Sequence, residues 1–393
     1  MFLMNEDLLT LTHVGEEKER YLNAVTPPVF LTSLHVYDSF DDFRSVDPLA
    51  ENSFYYGRSG NPTTRILEDK IAALEHGVRG AAFASGMAAT TAAVLSTCKA
   101  GSHIICLRDV YHPVRRYLDG EAIPNLGMSV TYLTGLDLEE LELAIRPETG
   151  LILLESPATF VFSVIDIKAV TAIAGKHGVK TFIDNTCCTP LFQKPLDLGV
   201  DIVMHTVSKY IGGHSDLIGG VLTSGDDELM KRIISRTREW YGGILGPMEA
   251  WLAIRGLRTL DVRLQRHQET AMSVSAYLEK HPKVRKVYYT GLESHPQREV
   301  IARQQTGHTG LMSFVLDAPP KAAVDFIDRL RLFGKGCSWG GFESLALTPL
   351  YNSSQEELEL LQLQEESGLI RIHCGLEGAD NLLDDMENAF KQL

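Results

Sequence analysis

The stretch HTVSKYIGGHSD, residues 205–216, sets a single lysine behind an apolar strand pattern, among hydroxyls, histidines and glycines. A surface lysine would need none of this company. Lys209 has two hydroxyls in front of it, Thr206 and Ser208. They alternate along the chain, so both can point at one place and donate to an anion. Three other stretches hold residue types that could work with that amine. FIDNT ends a strand pattern on Asp184, LRDVYHP ends another on Tyr111, and AAFASGMAATTAAV turns from strand into helix through Ser85, Gly86 and Met87. A small-residue turn of this kind lets backbone N–H groups approach an anion at a helix N-terminus.

For these residues to meet, the chain must bring the carboxyl ends of several strands together. Between about 61 and 245, short apolar runs alternate with helical patterns. The runs GAAFA (80–84), HIICL (103–107), LILLE (151–155), TFIDN (181–185), IVMHT (202–206) and GGVLT (219–223) read as strands. TTRILEDKIAALEHG places Leu67, Ile71 and Leu74 at i, i+4 and i+7, and AVTAIAGKHG ends on Gly178, so both read as helices. Alternation with nearly continuous apolar strands predicts a mostly parallel sheet covered on both faces. In such sheets ligands bind beyond the carboxyl ends of the strands, where all four stretches fall. Residues 244–281 read as long helical material, and VRKVYYT, GLMSFVL and GLIRIHC as strands of a smaller α+β domain. The expected division is an N-terminal arm over 1–60, a large domain over 61–255 and a small C-terminal domain over 256–393.

Taken singly, each residue has a plainer use. The glycine turn could merely pack a helix, Asp184 could be a cap or salt-bridge partner, and most lysines are solvated. Together they fit one cofactor. Pyridoxal 5′-phosphate needs a lysine for its Schiff base, an acidic partner for its pyridine nitrogen and an anion pocket. Lys209, Asp184 and the Gly86–Met87 turn with Thr206 and Ser208 supply these, and Tyr111 could stack on the ring or supply a proton.

The 393 residues are 44% hydrophobic and 22% charged, with a net charge of −14. That is the composition of an ordinary globular protein. The acidity argues against a nucleic-acid partner, which would require clustered Lys and Arg. Six scattered cysteines form no CxxC pair and read as free thiols in a reducing compartment. No apolar run is long enough for a membrane span, and the first residues lack the features of a signal peptide, so the expectation is a cytoplasmic protein. His205 and His214 have no carboxylate or cysteine at ligand spacing and read as structural, with no metal.

The ordered motifs YGRSGNPTTRILEDKIAALE, ASGMAA, LRDVYHP, ESPAT, FIDNT, HTVSKYIGGHSD, RGLRTL, SWGGFESL and LIRIHCGLE resemble the Cys/Met-metabolism family of pyridoxal-phosphate enzymes, in order from about residue 11 to the C-terminus. The resemblance implies a fold-type I, aminotransferase-like α/β subunit in a homotetramer built as a dimer of dimers. It makes Lys209 the Schiff-base lysine, Asp184 the pyridinium partner and Tyr111 the stacking ring. Gly86, Met87, Thr206 and Ser208 would hold the phosphate, and Tyr56 and Arg58 would reach the phosphate of the neighbouring subunit. Arg371 would clamp the substrate α-carboxylate by a bidentate pair, with Ser338 nearby. Without the family, Arg371 reads as a surface charge on an edge strand.

The branch marks divide. Trp339 in SWGGFESL, the YHP tripeptide and the segment TPLYNSSQEELELLQLQEESG are similar to the cystathionine β-lyases. YGRSGNPTT, GPMEAWLAIRGL and Arg116-Tyr117 are similar to the γ-lyases and γ-synthases, where an Arg can meet a distal carboxylate. Arg115 and Arg116 read equally as a solvated basic pair on a loop. Thr159 in ESPATF stands where many members carry Asn against the cofactor's phenolic oxygen. The expectation is carbon–sulfur β-elimination from cystathionine or a related S-substituted L-cysteine. The alternatives are γ-elimination or γ-replacement, an amino-acid racemase on the same scaffold, and a cofactor-binding regulatory protein.

Overall fold

The computed structural model of the chain describes residues 5–50, 53–349, 366 and 368–393. Its larger sheet has seven strands: β1 (Arg79–Phe83), β2 (His103–Leu107), β3 (Ser129–Leu133), β4 (Thr149–Glu155), β5 (Lys180–Asp184), β6 (Ile202–Thr206) and β7 (Gly220–Ser224). They lie in the order β1-β7-β6-β5-β4-β2-β3. β7 runs antiparallel to β1 and β6, and the other neighbours are parallel. Strands such as β2, buried at every position, form because both faces are covered and each apolar side chain finds a helix to pack on. The helix Pro62–Leu74 starts where Asn61 caps it and Pro62 fills its first turn. The helix Ile167–His177 starts on the Asp166 cap and stops at Gly178, whose left-handed backbone glycine adopts without strain.

The smaller sheet holds β8 (Val284–Tyr288), β9 (Leu311–Leu316), β10 (Gly334–Lys335), β11 (Leu345–Leu347) and β12 (Leu369–His373), in the order β10-β11-β12-β9-β8. All its pairs are antiparallel except β10 with β11. Its core is filled from the helices Leu260–Lys280, Pro320–Arg329 and Ala379–Phe390, with Phe314, Phe326 and Phe390 at the centre.

Three strands escaped the sequence pattern. β3 is an edge strand with four of its five residues only partly buried, so its apolar signal is weak. β10 and β11 are two and three residues long, too short for any period to show. The branch-marking segment TPLYNSSQEELELLQLQEESG falls almost wholly on residues outside those described.

The arm docks its first helix, Glu6–His13, by burying Leu11 against Leu67 and Ile71. Lys70, fully buried, holds it by donating to the carbonyls of Thr10 at 3.1 Å and Leu11 at 3.2 Å and by pairing with Glu16 at 2.9 Å. Further along, Leu22, Val25, Val36 and Phe40 stand 97, 89, 86 and 81% exposed. Among the described residues no helix is long and apolar enough to cross a membrane.

Candidate functional site

The amine sits on a turn that the rest of the chain pins from two sides. After β6 the backbone closes through Lys209 N–H to Thr206 O at 3.2 Å and Gly213 N–H to Lys209 O at 2.8 Å. Gly213 has φ +68°, and a Cβ there would lie 2.1 Å from Nη1 of Arg263. That guanidinium donates to Tyr210 O at 2.7 Å and Gly256 O at 2.8 Å, so the lysine turn is bolted to the helix Leu260–Lys280. From the other side Gly340, at φ +85°, packs so close that a Cβ would lie 2.7 Å from Tyr210 N. The glycines of SKYIGG and SWGG are there for these approaches.

Lys209 Nζ donates to Ser338 Oγ at 2.7 Å and lies 5.2 Å from the centre of the Trp339 ring. Burial, then the nearby Arg371 cation, lower its pKa to about 8. Arg371 is 8% exposed on β12, which is flanked by β9 and β11. It is therefore no edge-strand surface charge: its position is central. Its guanidinium donates to Cys337 O at 2.8 Å and lies 5.3 Å from the Phe160 ring. Burial lowers it to about 10, which leaves it a cation at neutral pH.

Asp184 closes β5 beside Glu155 at the end of β4. Its Oδ1 accepts from the Thr186 backbone at 2.9 Å and from the Thr186 hydroxyl, which in turn accepts from Thr206 N–H at 2.9 Å. Burial raises both carboxyls, and for Glu155 the charge of Asp184 comes second, taking it to about 8. Tyr111 precedes the helix His112–Tyr117 with its ring 47% exposed, and its N–H donates to Glu155 Oε2 at 2.6 Å. Burial raises its phenol above the ordinary value.

The glycine turn lies against the lysine strand. Gly86 begins the helix Gly86–Thr97, capped by Ser85, and a Cβ on it would lie 2.1 Å from Thr206 Oγ1. Met87, on the same helix start, is half-buried. Ser208 Oγ accepts from Gly219 N–H at 3.1 Å. Thr159 donates its hydroxyl to Glu155 Oε1 at 2.5 Å, so its proton is already committed within the chain.

Other expected residues stand apart. Arg58 pairs with Glu239 at 3.1 Å and lies 5.3 Å from the Tyr56 ring, which is 42% exposed. The basic pair is on a helix rather than a loop, and its members differ. Arg115 is buried with its guanidinium 4.3 Å from the Tyr132 ring, while Arg116 is exposed. His205 bonds Glu75 at 2.5 Å and His214 bonds Gly212 O at 2.7 Å. Sequence reading missed Glu155 and Arg263. Glu155 opens the quoted ESPAT, while a buried arginine in a helical pattern gives no local sign.

A family model described as Cys/Met metabolism PLP-dependent enzyme matches residues 10–391. The cystathionine beta-lyase MetC of Bacillus subtilis (strain 168) is 38% identical over 387 residues, 98% of this chain and 96% of that protein. Human cystathionine gamma-lyase is 38% identical over 385 residues, 96% of this chain and 92% of that protein. The crystal structure of metB from Corynebacterium glutamicum superposes with a TM-score of 0.92 at 32% identity, covering 99% of this chain and 98% of that one.

Proposed function

Since the chain belongs to the Cys/Met metabolism family of PLP-dependent enzymes, we propose that it cleaves the carbon–sulfur bond of L-cystathionine or a related S-substituted L-cysteine by β-elimination. The products are a thiol, pyruvate and ammonia. Its cofactor is pyridoxal 5′-phosphate, and the residues present fit that group. Because Gly86 has no Cβ, which would lie 2.1 Å from Thr206 Oγ1, the start of the helix Gly86–Thr97 comes against that hydroxyl, which sets a helix N-terminus and a hydroxyl side by side for a phosphate. Beside it stand an amine lowered to about 8 and a partly buried carboxyl, the two groups the cofactor's carbonyl and ring nitrogen require. Gly86, Met87, Thr206 and Ser208 would hold the phosphate, Asp184 the ring nitrogen, Tyr111 the ring face and Lys209 the carbonyl carbon. Thr159 would line the cofactor as an acceptor, given the bond its hydroxyl makes to Glu155.

When bound, the cofactor supplies an electron sink for the charge left at the substrate Cα. The chain's residues do the rest. Arg371 clamps the α-carboxylate, which orients the Cα–H bond toward Lys209. Lys209 Nζ takes the Cα proton, steadied by Ser338 Oγ. Asp184 keeps a negative charge against the ring nitrogen's proton. Tyr111 or Lys209 protonates the departing sulfur, and Trp339 and Phe160 exclude water around the amine and the guanidinium.

The observation that carries the β-reading is the fixed station of Lys209, 2.7 Å from Ser338 Oγ and 5.2 Å from the Trp339 ring centre. β-Elimination asks this amine to visit one carbon, Cα, whereas γ-elimination asks it to work at Cα and then at Cβ. The γ-reading draws support from Arg116, exposed on the helix after Tyr111 and free to turn toward a distal substrate carboxylate. Incubation with L-cystathionine and identification of the keto acid decides between them. Pyruvate with homocysteine is the expected result, and 2-oxobutyrate with cysteine would overturn it.

The same reading makes the active unit an assembly, a homotetramer of paired subunits in the cytoplasm. The exposed apolar arm supports this, as does the pairing of Tyr56 and Arg58 with each other and Glu239 rather than with the Lys209 group. Mixing Arg58→Ala and Lys209→Ala chains, each inactive alone, is expected to restore about a quarter of wild-type activity when subunits exchange at random, because one site in each mixed pair is whole. Recovery of no activity in subunit pairs shown to have exchanged would place Arg58 outside the neighbouring site.

A further inference from the structure

Glu155 has no part in the reaction described above, yet it sits among the residues that do. It closes β4 in register with Asp184 and is 9% exposed. Two carboxyls side by side in a buried place are unfavourable, and a packing role alone would be served as well by Leu. Both oxygens of Glu155 are in use. Oε2 accepts from the Tyr111 backbone N–H at 2.6 Å and Oε1 from the Thr159 hydroxyl at 2.5 Å. Thr159 N–H also donates to Asp109 O at 2.9 Å, so the loops that follow β2 and β4 are tied to each other by that backbone bond and by the Glu155 side chain.

Those loops carry two of the rings that border the site. Tyr111 is on the first, and Phe160, 5.3 Å from the Arg371 guanidinium, is on the second. Phe160 has φ +65°, a left-handed backbone that an L residue adopts only when its surroundings hold it. The Val161 N–H to Thr159 O bond at 2.9 Å closes the turn around Phe160, and the Glu155–Thr159 bond sets where that turn stands against β4.

We propose that Glu155 is a positioning residue, which sets the Tyr111 ring and the Phe160–Arg371 pair relative to Lys209 by accepting from both loops. The assignment rests on the roles given to Tyr111 and Arg371 and is indifferent to the choice between β- and γ-elimination.

The test compares Glu155→Leu, Glu155→Gln and Thr159→Val as holoenzymes, with bound cofactor quantified from visible absorbance and kcat and KM measured on L-cystathionine. Activity is counted as total keto acid, so the identity of that acid tests the reaction class and its amount tests Glu155. Glu155→Leu, which accepts from neither loop, is expected to lose about a hundredfold in kcat/KM at undiminished cofactor content, the scale of a small misplacement of reacting groups. Gln can accept from Tyr111 N–H through its one carbonyl oxygen and donate from its amide nitrogen to the Thr159 hydroxyl, so it keeps a bond to each loop and is expected to stay within about threefold of wild type. Thr159→Val cuts one tie only, with an expected loss of about fivefold. A Gln variant as weak as the Leu variant, or a Leu variant with wild-type kcat/KM, overturns the proposal. Should the Leu variant not fold, wild-type kcat/KM in Thr159→Val overturns it alone.

Discussion

Replacing Lys209 by Ala is expected to abolish keto-acid production, with kcat down by at least about 10⁴-fold, because the change removes both the covalent partner of the cofactor and the base at Cα. The magnitude follows from the environment of the amine. An ordinary lysine, with a pKa of 10.5, is almost wholly protonated near neutrality and cannot take a proton. Burial, then the charge of Arg371, bring Lys209 to about 8, so near pH 8 about half of it is free amine. No neighbour can replace it. Ser338 Oγ is a neutral hydroxyl, and the Tyr111 phenol is held above its usual range by burial. The variant should still hold the cofactor by its phosphate through Gly86, Thr206 and Ser208. Visible absorbance of bound cofactor with no keto acid released is therefore the expected pair of readings, and full activity in this variant would remove Lys209 from the mechanism.

Asp184→Asn is expected to lower kcat by about 10²- to 10³-fold with a much smaller effect on KM, the pattern of a group whose charge matters most in the transition state. Asn can keep the acceptor oxygen that bonds the Thr186 backbone at 2.9 Å, so the fold of this corner is retained and the charge alone is lost. Without that charge the ring nitrogen loses its proton and the sink for the Cα electrons weakens. The neighbouring carboxyl offers a second reading. The charge of Asp184 is the second cause, after burial, of the raised pKa of Glu155, so in Asp184→Asn the Glu155 pKa should fall toward the ordinary carboxylate range. If kcat in Asp184→Asn equals that of wild type, the carboxylate has no electronic role.

Which residues were legible in the chain follows from how locally each is specified. Lys209, Asp184, Tyr111 and the Gly86 turn all stand at the carboxyl ends of strands whose apolar runs mark themselves, and β2 and β6 fall at the expected residues. For a parallel sheet, knowing that a residue ends a strand is enough to send it to one edge, so the strand pattern by itself assembles the cluster. Glycine types told where the backbone must pass closely, though not what it passes. Arg263, fifty positions from its place against Gly213, could come only from the packing of the helix Leu260–Lys280 on the lysine turn.

The tertiary structure decided the rest, by lateral order and by burial. That Glu155 lies beside Asp184 depends on β4 and β5 being neighbours in register, which periodicity within a strand does not encode. Arg371 reads alone as an edge-strand charge. It is buried because β12 is placed between β9 and β11, and only that placement gives a cation a reason to be inside. Arg115 and Arg116, adjacent and alike in sequence, part company because successive helical residues point about 100° apart, one onto Tyr132 and one into solvent. The sequence by itself determined the chemistry that could be done and the sheet edge at which it would gather. The tertiary structure decided which buried charges sit beside one another, since burial and lateral pairing are properties of neighbours that lie far apart along the chain.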